Sequence, residues 1–163
     1  MDSPDKTFGS CTIKTGEYLL LRYGFESEDE ASASGGNENG IIDLWTSVSY
    51  ITSTDEQMVL YDPVRKIVDA VCWSDGKLSD SEKRDLEEVY EAGEWEGKTA
   101  DFCINSKEIS RKKALARLDF SDTNSPRDWA ASLPTPGWDN SDSEKANRAV
   151  EIVSFGHIKI TSP

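Results

Sequence analysis

The chain predicts an all-β fold, a β-sandwich carrying one surface helix, and three observations lead there. Residues 58–61 and 67–73 are two runs rich in Val, Ile, Tyr and Trp, side chains that suit a pleated, half-buried surface. Between them lie five residues that open on Asp62-Pro63. Pro63 has its φ preset for the first central position of a type I turn, and Asp62 can hydrogen-bond forward into that turn, so the two runs read as a hairpin. The return strand is largely apolar on both faces, with Ile67, Val71 and Trp73 on one and Val68, Ala70 and Cys72 on the other; Asp69 is the exception. Such a strand suits the middle of a sandwich. Lastly, apolar residues at helical spacing occur clearly in one place only, just after the hairpin.

Taken in order, residues 1–7 are polar and predicted to be disordered. Phe8, Cys11 and Ile13 predict a strand, residues 14–16 a turn, and residues 17–23 a strand apolar on both faces at its centre. Residues 26–39 are acidic and then Ser/Gly-rich, which predicts a mobile loop; Glu26, Glu28, Asp29 and Glu30 alternatively supply a cation loop. The β pattern resumes at residues 41–45, and residues 47–54 read as a polar turn before the hairpin. The helix begins at Ser79, whose spacing to Glu82 is that of a capping box, and Gly93 stops it. Leu86, Val89 and Tyr90, with Leu78, form its apolar stripe, and the charges elsewhere read as a solvated face. Two strands are expected at residues 100–104 and 114–120, followed by loops at 121–129 and 134–140. Residues 149–160 again alternate as a strand, with Gly156 as a bulge.

Composition narrows the function classes. A net charge of −13 argues against an extended nucleic-acid surface, and the one basic cluster, Arg111-Lys112-Lys113, reads as a solvated edge. No apolar run approaches the length needed to cross a bilayer, so no membrane span is expected. The N-terminus carries no apolar signal core. Cys11, Cys72 and Cys103 are far apart, with no Cys-x-x-Cys pair for zinc or redox work; they allow one disulfide or three buried thiols. One histidine, His157, sits beside Gly156, and neither a Gly-x-Ser-x-Gly elbow nor a phosphate loop accompanies it, so no catalytic residue and no cofactor are expected.

Four landmarks in this order resemble the lamin-tail domain, the immunoglobulin-like β-sandwich of nuclear lamins and of many bacterial surface or secreted proteins. They are Gly16-Glu17-Tyr18-Leu19-Leu20-Leu21; Leu60-Tyr61-Asp62-Pro63 leading to Val68-Asp69-Ala70-Val71; Leu115-Ala116-Arg117-Leu118 with Asp122-Thr123-Asn124-Ser125 and Asp128-Trp129; and Pro134-Thr135-Pro136-Gly137 before Asn140. The resemblance spans residues 8–140 with a helical insertion at 79–97, and it lacks that family's opening strands. Residues 141–163 are then expected to pack as a C-terminal strand on the same domain, filling the vacant edge or exchanging with a second chain as a dimer.

The resemblance implies a non-catalytic immunoglobulin-like module that contacts a protein partner or a cell surface, within a larger extracellular or envelope protein. The alternative is an accessory module of a secreted hydrolase that binds Ca²⁺. For that alternative the metal candidates are Asp119, Asp122 and Asp128, in a loop where Arg117 can pair with any of the three. Trp129 is expected to insert into the sandwich and anchor the same loop, while residues 122–125 bond their own backbone.

Overall fold

A computed structural model describes residues 6–9, 11–24, 27–33, 40–48, 51–109, 113–118, 122–136, 139 and 140. Among the described residues the regular structure is mostly strand, seven strands with one α-helix, and no helix there is long and apolar enough to cross a membrane. It divides into two units, Met1–Ile51 with Pro136–Asp139, and Thr52–Thr135 with Asn140–Pro163.

In the first unit β1 (Tyr18–Tyr23) lies parallel to β2 (Ile41–Thr46), in register from Tyr18 opposite Ile41 to Tyr23 opposite Thr46. The turn expected before β1 forms: the Glu17 amide donates to the Lys14 carbonyl, and Gly16 takes φ +83°. Parallel strands need a long crossover. Part of that crossover lies along β2, where the Glu30 amide donates to the Asp43 carbonyl and the Trp45 amide to the Asp29 carboxylate. Asp29 and Glu30 are thereby bonded to β2; Glu26 and the Gly/Ser-rich end of the expected mobile loop lie outside the described residues. Asp43 is fully buried in β2, and its charge is met by Arg22 Nε at 2.9 Å, which offsets the cost of burying a lone carboxylate. The expected strand through Phe8, Cys11 and Ile13 does not form. Phe8 and Ile13 are exposed, the Cys11 amide is satisfied locally by the Gly9 carbonyl, and no strand among the described residues pairs with that stretch.

The second unit contains the expected hairpin, β3 (Glu56–Tyr61) antiparallel to β4 (Ile67–Ser74). The Arg65 amide closes onto the Asp62 carbonyl with Pro63 at the first central position, and Asp62 Oδ1 accepts from the Val64 and Lys66 amides. Arg65 sits at φ +66°, the left-handed residue that follows such a turn in a three-residue hairpin loop. The register shifts between Leu60 and Tyr61, which makes Val68 an extra residue in β4. Val68 is therefore exposed, not inward with Ala70 and Cys72 as strict alternation predicts. On β3, Val59 and Tyr61 pack toward the core while Met58 and Leu60 stay exposed on the other face.

Helix α1 (Asp80–Glu91) forms where expected, with Ser79 as N-cap and both bonds of the capping box to Glu82. At its other end Gly93 adopts φ +81°, its amide bonds the Tyr90 carbonyl and the Glu94 amide bonds the Val89 carbonyl, which is a Schellman closure. Leu86 and Val89 are buried, each stabilising the fold by about 1.5–3 kcal/mol. Tyr90 is not: it is exposed with Lys98 Nζ 5.8 Å from its ring, at the outer margin of the stripe. Past the closure the chain doubles back and Trp95 enters the core beside Leu86, Val89, Trp73 and Ile104. The expected surface insertion thus supplies a core side chain.

Residues 100–104 are not a strand. Ala100–Phe102 make a 3₁₀ turn, and only β5 (Ile104–Asn105) pairs, parallel to β4 with Trp73 opposite Ile104. A Cβ on buried Gly97 would come within 2.3 Å of the Phe102 ring, so the turn and the segment after the helix approach too closely for a side chain there. β6 (Ala114–Arg117) is shorter than expected where described, and it pairs antiparallel with β7 (Trp129–Ser132), a strand whose Ala- and Ser-rich sequence gave no strand signal. The described strands form three separate ladders, β1-β2, β3-β4-β5 and β6-β7. The expected C-terminal strand at 149–160, with His157, lies outside the described residues.

Candidate functional site

The residues singled out as a candidate cation loop gather around one arginine. Arg117 ends β6 directly opposite Trp129, the first residue of β7, and its guanidinium lies 4.9 Å from the centre of the indole ring. Its Nη2 is 3.1 Å from Asp69 Oδ1 on β4, and its Nη1 is 3.1 Å from Asp122 Oδ2. Burial works against the guanidinium charge, but the two carboxylates outweigh it and hold the pKa above its ordinary value. Arg117 therefore ties three elements together: the hairpin, the β6-β7 ladder and the loop between those two strands.

Asp128 organises that loop from within. Its Oδ2 accepts from the Thr123 amide at 2.8 Å, its Oδ1 from the Thr123 hydroxyl at 2.7 Å, and its backbone carbonyl from the Leu118 amide at 2.8 Å. Burial pushes its pKa up, but the bonds from Thr123 and Ser125 and the charge of Arg117 prevail, so the carboxyl titrates below its usual range. Ser125 caps the short 3₁₀ turn Pro126–Asp128, with Asp128 reaching back in a second capping box. Asn124 takes φ +55°, and its Nδ2 donates to the Gly93 carbonyl at 2.7 Å, so the loop also fastens the end of α1. Asn140 donates to the Arg117 carbonyl at 2.9 Å and accepts from the Thr135 hydroxyl at 2.5 Å.

The candidates thus have these positions. Asp122 is engaged by Arg117, Asp128 by Thr123 and Ser125, and Asp119 lies outside the described residues. Trp129 is half-buried against the core, close to the expected anchoring role, but its buried indole nitrogen finds no bonding partner among the described residues. Among the described residues no three His, Cys, Asp or Glu side chains gather as a metal-ligand set. Sequence reading missed Asp69 as a partner of Arg117; the two lie 48 positions apart, and no local pattern marks a pair at that range. It also missed the capping role of Asp128, although the Ser125-Pro126-Arg127-Asp128 spacing, with Pro at the first position, carries that signal. Chemically the arrangement holds a loop rigid: each carboxylate described here accepts from a donor on the same unit.

No curated protein matches the chain. No solved structure matches it. A family model, TP_1001_2nd, described as "protein second domain", matches residues 1–131, most of the sequence, and the chain belongs to that family.

Proposed function

We propose that this chain is a non-catalytic, immunoglobulin-like module that makes protein–protein contacts, within a larger extracellular or envelope protein. The observation that carries the contact role is the outer side of the hairpin. Among the described residues β3 is an edge strand of its ladder, and Met58 and Leu60, two positions apart on one face, are 38% and 44% exposed. An edge strand offers backbone donors and acceptors to an added strand, and alternate apolar side chains give such an addition specificity. The four landmarks that resemble the lamin-tail domain support the immunoglobulin-like reading and the extracellular setting. A second copy of the chain is one partner that the same edge would accept, as a strand-exchange dimer.

Site-specific photo-crosslinking tests this. A photoreactive residue at Leu60 should give a discrete protein adduct in the cells that make the protein, whereas one at Arg84, exposed on α1, should not. No adduct at Leu60, or equal adducts at both positions, would overturn the proposal.

A further inference from the structure

Two cysteines that the sequence leaves unassigned meet in the core of the second unit. Cys72 lies on β4 and Cys103 immediately before β5, and their Sγ atoms are 2.7 Å apart with both residues buried. Their proximity follows from the strand register as well as from the side chains. Trp73 is opposite Ile104 and Ser74 opposite Asn105, so one step back along both strands brings Cys72 and Cys103 to neighbouring positions. Adjacent strands lie about 4.8 Å apart, inside the Cα separation of about 4.4–6.8 Å that a disulfide spans. Cys11 belongs to the other unit and is half-buried.

We propose that Cys72 and Cys103 form a disulfide, leaving Cys11 as the one thiol. The bridge closes a ring that contains the whole helical excursion, α1, Trp95 and the Ala100–Phe102 turn, and it is independent of the β3 surface. Both thiols are buried in the folded state, out of reach of a bulky oxidant, so oxidation accompanies folding. The oxidant is a small disulfide such as oxidised glutathione. One cysteine, having lost its proton, attacks a glutathione sulfur; that S–S bond breaks and one glutathione thiolate leaves. The second cysteine, deprotonated in turn, attacks the protein sulfur of the mixed disulfide and expels the other glutathione thiolate. The two leaving thiolates take up the two protons, so two protein thiols are oxidised and one glutathione disulfide is reduced to two thiols.

Refolding the full chain from denaturant in a glutathione buffer, followed by alkylation and peptide mapping without reduction, tests the pairing. The expected result is one alkylated cysteine, Cys11, and one linked peptide pair carrying Cys72 and Cys103. The oxidised protein should also melt about 10 °C above the reduced protein, as expected for a cross-linked loop of this length. Cys11→Ser should abolish alkylation and leave the linked Cys72–Cys103 pair and the melting shift as they are. Three alkylated cysteines, a bridge that includes Cys11, or equal melting temperatures would overturn the proposal.

Discussion

The Trp95 indole Nε1 donates to the backbone carbonyl of Phe102 at 2.7 Å, which fastens the segment after α1 to the 3₁₀ turn that leads into β5. The ring is also 3% exposed in the core, so one side chain serves both packing and connection. Trp95→Phe keeps an aromatic ring but leaves that carbonyl without its donor. We expect a loss of about 1–3 kcal/mol in urea unfolding, against about 3–5 kcal/mol for Trp95→Ala, which adds a cavity. A loss near zero for Trp95→Phe would argue that the bond to Phe102 contributes nothing.

Arg117 makes two kinds of contact whose worth should differ. The Asp69 carboxylate is 40% exposed, so screening limits that ion pair to about 0.2–1 kcal/mol. The stack on Trp129 is partly desolvated, with the arginine side chain 22% exposed, and belongs nearer 1–2 kcal/mol. Double-mutant cycles with Arg117→Met should therefore give a larger coupling to Trp129→Leu than to Asp69→Asn. Raising the salt concentration should shrink only the second. A coupling to Asp69 that exceeds the one to Trp129 would reverse this ranking.

Asp128 predicts a pH dependence of known sign. Its folded-state carboxyl titrates below the value near 3.9 of an unfolded chain, so its stabilisation is complete above about pH 5 and is lost as the pH falls through the folded value. Asp128→Asn lacks that dependence. The stability gap between wild type and variant should narrow as the pH drops from about 5 to about 2, read by urea midpoints at each pH. Asp29, lowered by its bond from Lys6 and by the Trp45 amide, keeps some acid sensitivity in both proteins. A gap that stays constant over this range would show that Asp128 is not depressed.

What the sequence disclosed was the locally determined part. The hairpin turn and the helix caps follow from residues within four positions of one another: Asp62 with Lys66, Ser79 with Glu82, Gly93 with Tyr90. Features that depend on distant partners were hidden. β7 is Trp-Ala-Ala-Ser, with weak intrinsic strand preference, and it is extended because β6 pairs with it. The apolar letters at 102–104 imitate a strand, yet only Ile104 and its neighbour find a ladder. Trp95 stands alone between Glu94 and Glu96, with no apolar pattern to assign it, and the reversal at Gly93 turns it inward. The direction of β2 against β1 was equally invisible, since a Gly/Ser-rich crossover does not specify parallel or antiparallel return. At the candidate site the cluster of acids was legible, but the arginine that engages one of them was seen without its second partner, Asp69.

The order in which β4 acquires its two neighbours has a consequence during synthesis. β3 and β4 are joined by a short turn and can close within about 1–10 μs of leaving the ribosome. β5 cannot add until Ile104 emerges, 31 residues after its partner Trp73. At about 5–20 residues per second that delay is about 2–6 s. Throughout it the far edge of β4, with Cys72 and Trp73 at its end, is an uncovered strand bearing a thiol. During this interval the nascent chain is open at that edge to mispairing with a neighbouring chain, or to capture by a chaperone.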